Sequence, residues 1–258
     1  MRLPVAPCAL LALTLGTGCE QVLGIEDLEP TAPPTNGSLW ALPESAEGYD
    51  SLDVRVRPMS DPANVPYGLL NALQFELAGP ADGTFLLDSG GYIGLHSDPR
   101  GKRVEFVIWG ARAAVGPWAE QACDGTVLPC ADTFDDNDGF KGGQAIISYD
   151  WRANRSYTLQ VERVIQDPAG DWWEAIVTDV DSAQRTRIGR IQAQPTWQGL
   201  TQAATTWFEI YGEHGTECEG SPDPMATFRA PRANYGQVTA EWVMNLAALC
   251  RLPPRSLD

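Results

Sequence analysis

A carboxylate flanked by aromatic rings at alternate positions of an extended chain is suited to holding a sugar. In Thr206–Tyr211, Trp207, Glu209 and Tyr211 fall on one side and Phe208 and Ile210 on the other. Rings stack on the apolar C–H faces of a saccharide, and the carboxylate accepts its hydroxyl protons; the same residue types also build cores. Trp is abundant, nine residues against seven Tyr and seven Phe. Trp109, Trp118, Trp151 and Trp197 fall at strand ends or in loops, where ligand contacts concentrate. His96 shares its alternation phase with Tyr92, the residue types a polysaccharide lyase uses as a base.

Carboxylates on strands raise the question of hydrolysis. Glycosidases need one acid to protonate the leaving oxygen and a second carboxylate to attack or to activate water. Glu76, Glu105, Glu174 and Glu209 lie on strand-like runs, but no E-x-D-x-E pattern pairs them. Glu105 and Glu209 are the catalytic candidates. No G-x-S-x-G elbow, P-loop or dinucleotide fingerprint is present. Binding therefore ranks ahead of catalysis. Asp135-Asp136-Asn137-Asp138-Gly139 is dense in oxygen ligands. It makes Asp135, Asp136 and Asp138 candidate calcium ligands, with an acidic surface turn as the plain alternative. EF-hand spacing fails, because counting back from Gly139 puts Phe134 at the first ligand position.

The cysteines and the first residues address location. Met1–Gly18 has a basic residue and an apolar run from Ala9 to Leu15 that is too short to span a bilayer, which reads as a signal peptide. Gly16-Thr17-Gly18-Cys19 resembles the lipobox of bacterial lipoproteins, which implies acylation (palmitate-type chains) of Cys19 and a membrane contact through that anchor only. Residues 19–38, rich in Pro, Thr, Asn and Gly, read as a flexible tether, and residues 39–258 as one domain. The expected location is the bacterial cell envelope, at the outer membrane in a Gram-negative host, or outside the cell. With Cys8 in the leader and Cys19 acylated, Cys123, Cys130, Cys218 and Cys250 remain. Four cysteines in an exported chain allow three pairings. Cys123–Cys130 and Cys218–Cys250 are favoured, because the first would pin a long loop and the second would tie back the C-terminal segment. Zinc is the weaker alternative, since there is no CxxC and the only histidines are His96 and His214.

The elements that must position these residues are short strands. Around the turn Asp98-Pro99-Arg100-Gly101, Tyr92–Ser97 and Arg103–Trp109 alternate, with Val104, Phe106 and Ile108 on one side and Arg103, Glu105, Val107 and Trp109 on the other. Further strands are expected at Leu39–Leu42, Leu52–Arg57, Leu69–Leu77, Phe85–Leu87, Gln144–Tyr149, Ser156–Val164, Trp172–Asp179, Arg185–Ile191, Thr206–Tyr211 and Gln237–Met244. Ala111–Phe140 reads as a long loop, and Asn245–Cys250 as a brief helix. The pattern predicts an all-β fold, an antiparallel β-sandwich of jelly-roll or concanavalin-like type.

The segments GGYIGLH, FVIWG, GGQAIISYDW, RSYTLQVER, DWWEAIVTDVD, RIGRIQAQPTWQGL and WFEIYG, in that order, resemble the bacterial domain-of-unknown-function family 3472 over Tyr67 to Cys218. The resemblance implies a secreted β-rich domain, often near carbohydrate-related modules, and no established reaction. Where that family usually has Gln, this chain has His96.

Composition limits the partners. The net charge is −16, and losing the single positive charge of Arg2 with the leader leaves −17. Such a chain repels phosphate backbones, so no nucleic-acid partner is expected, and a polyanionic substrate is disfavoured. The expectation is a cell-envelope lipoprotein that binds a glycan or similar extracellular ligand through Trp109, Trp207, Glu209, Tyr211 and His96. The alternative is a polysaccharide-active glycoside hydrolase or lyase.

Overall fold

A computed structural model describes residues 37–59, 68–79, 89–116, 123, 128–135, 141–211 and 226–245. The chain divides into Met1–Pro30 and Thr31–Asp258; the signal peptide, Cys19 and nearly all of the tether lie outside the described residues. Within the second unit, the first strands are β1 (Gly37–Ala41), β2 (Ser51–Pro58), β3 (Gly68–Leu77), β4 (Gly90–Asp98) and β5 (Gly101–Trp109). Then come β6 (Ala113–Val115), β7 (Cys130–Asp135), β8 (Lys141–Ser148), β9 (Tyr157–Ile165), β10 (Trp172–Asp179), β11 (Gln184–Gln192) and β12 (Leu200–Tyr211). The last are β13 (Ala226–Phe228), β14 (Arg232–Ala233), β15 (Val238–Thr239) and β16 (Glu241–Asn245).

Two antiparallel sheets form. The first runs β16-β1-β12-β3-β4-β5-β8-β7, and the second β15-β14-β2-β9-β10-β11-β6, with β13 also on β2. The alternation read from sequence decides which side chains meet between them. Leu52, Val54 and Val56 of β2, Ile93 and Leu95 of β4, Val104, Phe106 and Ile108 of β5, and Trp173 and Val177 of β10 join one core. Apolar area withdrawn from water at roughly 25 cal/mol per Å² holds the layers together. The result is the all-β jelly-roll sandwich expected from the strand pattern.

Several expectations are corrected. The loop Ala111–Phe140 contains two strands, β6 and β7, on different sheets. The single strand at Gln237–Met244 is two, β15 in the second sheet and β16 in the first. Trp151 is no surface ligand contact: it is fully buried, and its indole N–H donates to the His96 carbonyl at 3.0 Å. The Cys123–Cys130 disulfide is present. Cys218, Cys250, Trp118, Asp136, Asp138, Phe85–Leu87 and most of the expected C-terminal helix lie outside the described residues. Asp135 pairs with Lys141 at 2.7 Å, both side chains exposed. Among the described residues no cluster of three or more His, Cys, Asp or Glu is placed to hold a metal ion.

Candidate functional site

The tight turn at Asp98–Gly101 sets the register of β4 against β5: His96 opposes Arg103, Gly94 opposes Glu105 and Tyr92 opposes Val107. Because Ile93, Leu95, Val104 and Phe106 point into the core, Tyr92, His96, Arg103 and Glu105 all stand on the outer face of the first sheet. On the far side of β3, Trp207 opposes Ala72, which in turn opposes Gly94. A row therefore crosses four strands as Trp207, Ala72, Gly94 and Glu105. Small residues in its middle leave room for the Leu70 side chain, which packs over Gly94. A Cβ on Gly94 would lie 2.5 Å from a Leu70 methyl and 3.3 Å from the Ala72 Cβ.

The polar groups form one chain of bonds. Arg103 Nη2 donates to His96 Nε2 at 3.0 Å, and a guanidinium can only donate. The imidazole therefore carries its hydrogen on Nδ1, which donates to Glu105 Oε1 at 2.5 Å. Arg103 Nε reaches the same oxygen at 2.5 Å, and its Nη1 reaches Asp98 Oδ2 at 2.9 Å. Tyr92 donates its hydroxyl to Glu105 Oε2 at 3.2 Å. Burial acts to raise the Glu105 carboxyl, but hydrogen bonds from His96 and Arg103 and the Arg103 charge outweigh it and hold the group down at about 2. Burial, with the nearby Glu105 and Glu209 charges, pushes the Tyr92 phenol well up. Burial pushes the Glu209 carboxyl upward.

An aromatic band borders this network. Tyr92 sits between Trp109, 5.9 Å away centroid to centroid, and Trp207, 6.2 Å away edge to face. The Trp207 ring is half-buried, and its buried indole N–H has no hydrogen-bond partner among the described residues. Of the sequence candidates, the structure brings together Trp109, Trp207, His96 and Glu105, with Glu209 one residue pair along β12. Tyr211 ends β12, and its side chain lies outside the description. Glu174 stands on the other sheet. Arg103 and Asp98 were not singled out from sequence. The signal was there, since counting back from the Asp98–Gly101 turn pairs His96 with Arg103.

No family model matches this chain, and no curated protein matches its sequence. Its fold is similar to the PL-14 alginate lyase from Aplysia kurodai, with TM-score 0.40 and 10% identity over 77% of this chain and 72% of that one. It is also similar to the kappa-carrageenase from Pseudoalteromonas carrageenovora, with TM-score 0.40 and 10% identity over 79% and 67%. A scytalido-glutamic peptidase aligns with TM-score 0.35 and 12% identity over 83% and 85%.

Proposed function

We propose that the outer face of the first sheet binds a saccharide, with Trp207, Tyr92 and Trp109 as the stacking band, Glu209 as hydroxyl acceptor and Glu105 as the anchor that holds Tyr92, His96 and Arg103 in place. The observation that carries this reading is the run of three rings, Trp109, Tyr92 and Trp207, side by side on one sheet face with Glu209 beside them. Rings in such a row stack on the apolar C–H faces of a sugar, and an adjacent carboxylate accepts its hydroxyl protons. The network around Glu105 supports binding over reaction. Its carboxylate is ionised and occupied by three donors, so it is a fixed acceptor. Both His96 ring nitrogens are engaged, and a raised Tyr92 phenol stays a donor. Neither has the form a lyase base needs.

We further propose export, anchored through Cys19. The Cys123–Cys130 bond supports this, because such bonds persist in oxidising compartments. Glycan-array screening followed by calorimetry tests the binding. Trp207→Ala should weaken the best ligand at least tenfold, measured at a temperature where circular dichroism shows the variant still folded despite the lower melting temperature that losing the ring entails. Absence of any millimolar ligand, or full binding by the variant, sinks the reading.

A second reading, hydrolysis, rests on one observation: two carboxylates on one face are pushed in opposite directions, Glu105 down and Glu209 up. Reducing-sugar release by the wild type, lost in Glu209→Gln, would favour it.

A further inference from the structure

The outer face of the second sheet has a different chemistry. On β2, Leu52, Val54 and Val56 enter the core, so Asp53, Arg55 and Arg57 face out. Arg232 of β14 lies beside Asp53. At the other side of the sheet, Arg185, Arg187 and Arg190 of β11 register against Thr178, Ile176 and Glu174 of β10. Two rails of three arginines result, one on β2 and β14 and one on β11.

Between the rails, β9 and β10 present a mostly neutral floor. One row crosses as Arg55, Thr158, Thr178 and Arg185, and the next as Asp53, Gln160, Ile176 and Arg187. The β2 and β11 backbones stand three strand spacings apart, about 14 Å. Among the described residues, Asp53, Glu162 and Glu174 are the carboxylates that the β2, β9 and β10 registers place on this face. Asp53 and Glu174 lie beneath guanidinium groups, and Glu162 accepts from the Gln160 amide at 2.8 Å. The Glu174 side chain is 5% exposed while Arg187, bonded to it at 2.7 Å, is 51% exposed. Arg190 holds the same carboxylate oxygen at 2.7 Å, and Arg232 covers Asp53 at 2.9 Å. Arg57 and Arg185 are exposed and form no ion pair within 4.0 Å among the described residues. In a chain of net charge −16, this face is locally positive.

We propose that this face docks an acidic polysaccharide, a linear polymer bearing carboxylate or sulfate groups, lying along β9 and β10 between the rails. Guanidinium forks match such oxyanions in pairs. The Thr158, Thr178 and Gln160 side chains supply hydrogen bonds to sugar hydroxyls between the charges. A soluble polymer fits better than a membrane. Within those two rows the one apolar side chain among the described residues, Ile176, is 6% exposed and offers nothing to insert into a bilayer; Ile165, 44% exposed, and Trp172 face out only at the far end of β9 and β10, past Arg190. The disfavour toward polyanions expected from net charge alone does not hold on this face.

Binding of the full mature chain to sodium polygalacturonate, dextran sulfate, neutral dextran, phosphatidylglycerol vesicles and duplex DNA tests this by affinity electrophoresis and calorimetry. The expected result is binding to one or both acidic polysaccharides and none to dextran. Affinity should fall at least tenfold as sodium chloride rises from about 50 to about 200 mM, and at least tenfold in the double variant Arg57→Ala/Arg185→Ala, whose exposed side chains leave the core intact. Trp207→Ala should bind the acidic polymers like the wild type, which separates this face from the saccharide site on the first sheet. Failure to hold either acidic polysaccharide, undiminished binding by the double variant, or binding confined to vesicles or DNA overturns the proposal.

Discussion

Glu105 is the residue on which the polar network depends. It takes hydrogen bonds from Tyr92, His96 and Arg103, and it offsets the charge of an Arg103 that is nearly buried. Removing one partner of such a pair strands the other, at a cost of about 3–5 kcal/mol. Glu105→Ala should lose stability on that scale in urea melts. The pH dependence follows from the direction of the shift. A carboxyl held lower in the folded chain than in the unfolded one stabilises fully above about pH 5 and loses that contribution as pH falls toward about 2. The wild type should therefore weaken over that range by on the order of 3 kcal/mol, and Glu105→Ala should show a flatter profile. A steep acid profile in the variant would place the titration elsewhere, Asp98 being the first alternative because its bonds to Arg100 and Arg103 also hold it far down against burial.

At the scale of the element, β4 is where side-chain bulk is excluded. A Cβ on Gly91 would lie 2.1 Å from the Val107 carbonyl oxygen and 2.8 Å from the Phe75 ring. The first of these is backbone, which cannot turn aside. Gly91→Ala should cost at least about 1–3 kcal/mol, read as a lowered urea midpoint with an unchanged slope. Much of this level was legible. Arg103–Trp109 alternates cleanly, and its core residues are the ones expected. Trp172-Trp173 splits as alternation requires, with Trp173 buried and Trp172 half-buried. What escaped reading were strands too short for a period, such as β14 and β15 with two residues each. Those strands are ordered by neighbours, Asp53 and Leu52 across from Arg232 and Ala233, not by their own pattern. The site was half legible for the same reason. Glu105 and His96 were visible on their strands, but Trp207 comes near them only through the registers of β12, β3 and β4.

For the whole molecule, the two outer faces differ in kind: aromatic and carboxylate on the first sheet, arginine on the second. Sequence composition averages over both, so the sign of the net charge concealed the local reversal. The disulfide acts at this scale too. Cys130 sits at the start of β7 at the margin of the first sheet, and the bond to Cys123 closes a loop with a sequence separation of 7. Reduction should lower stability by about 2 kcal/mol on loop-entropy grounds, measured as the difference between melts with and without reductant. No change would mean the loop contributes nothing to the folded domain. The placement of β1 has a mechanical consequence. It lies between β12 and β16, with five residue pairs to one and four to the other, all antiparallel. A pull along the chain from ahead of Gly37 would load both ladders in shear at once, so they must rupture together. A strand peeled from a margin gives way one rung at a time, and this one is built to resist tugging.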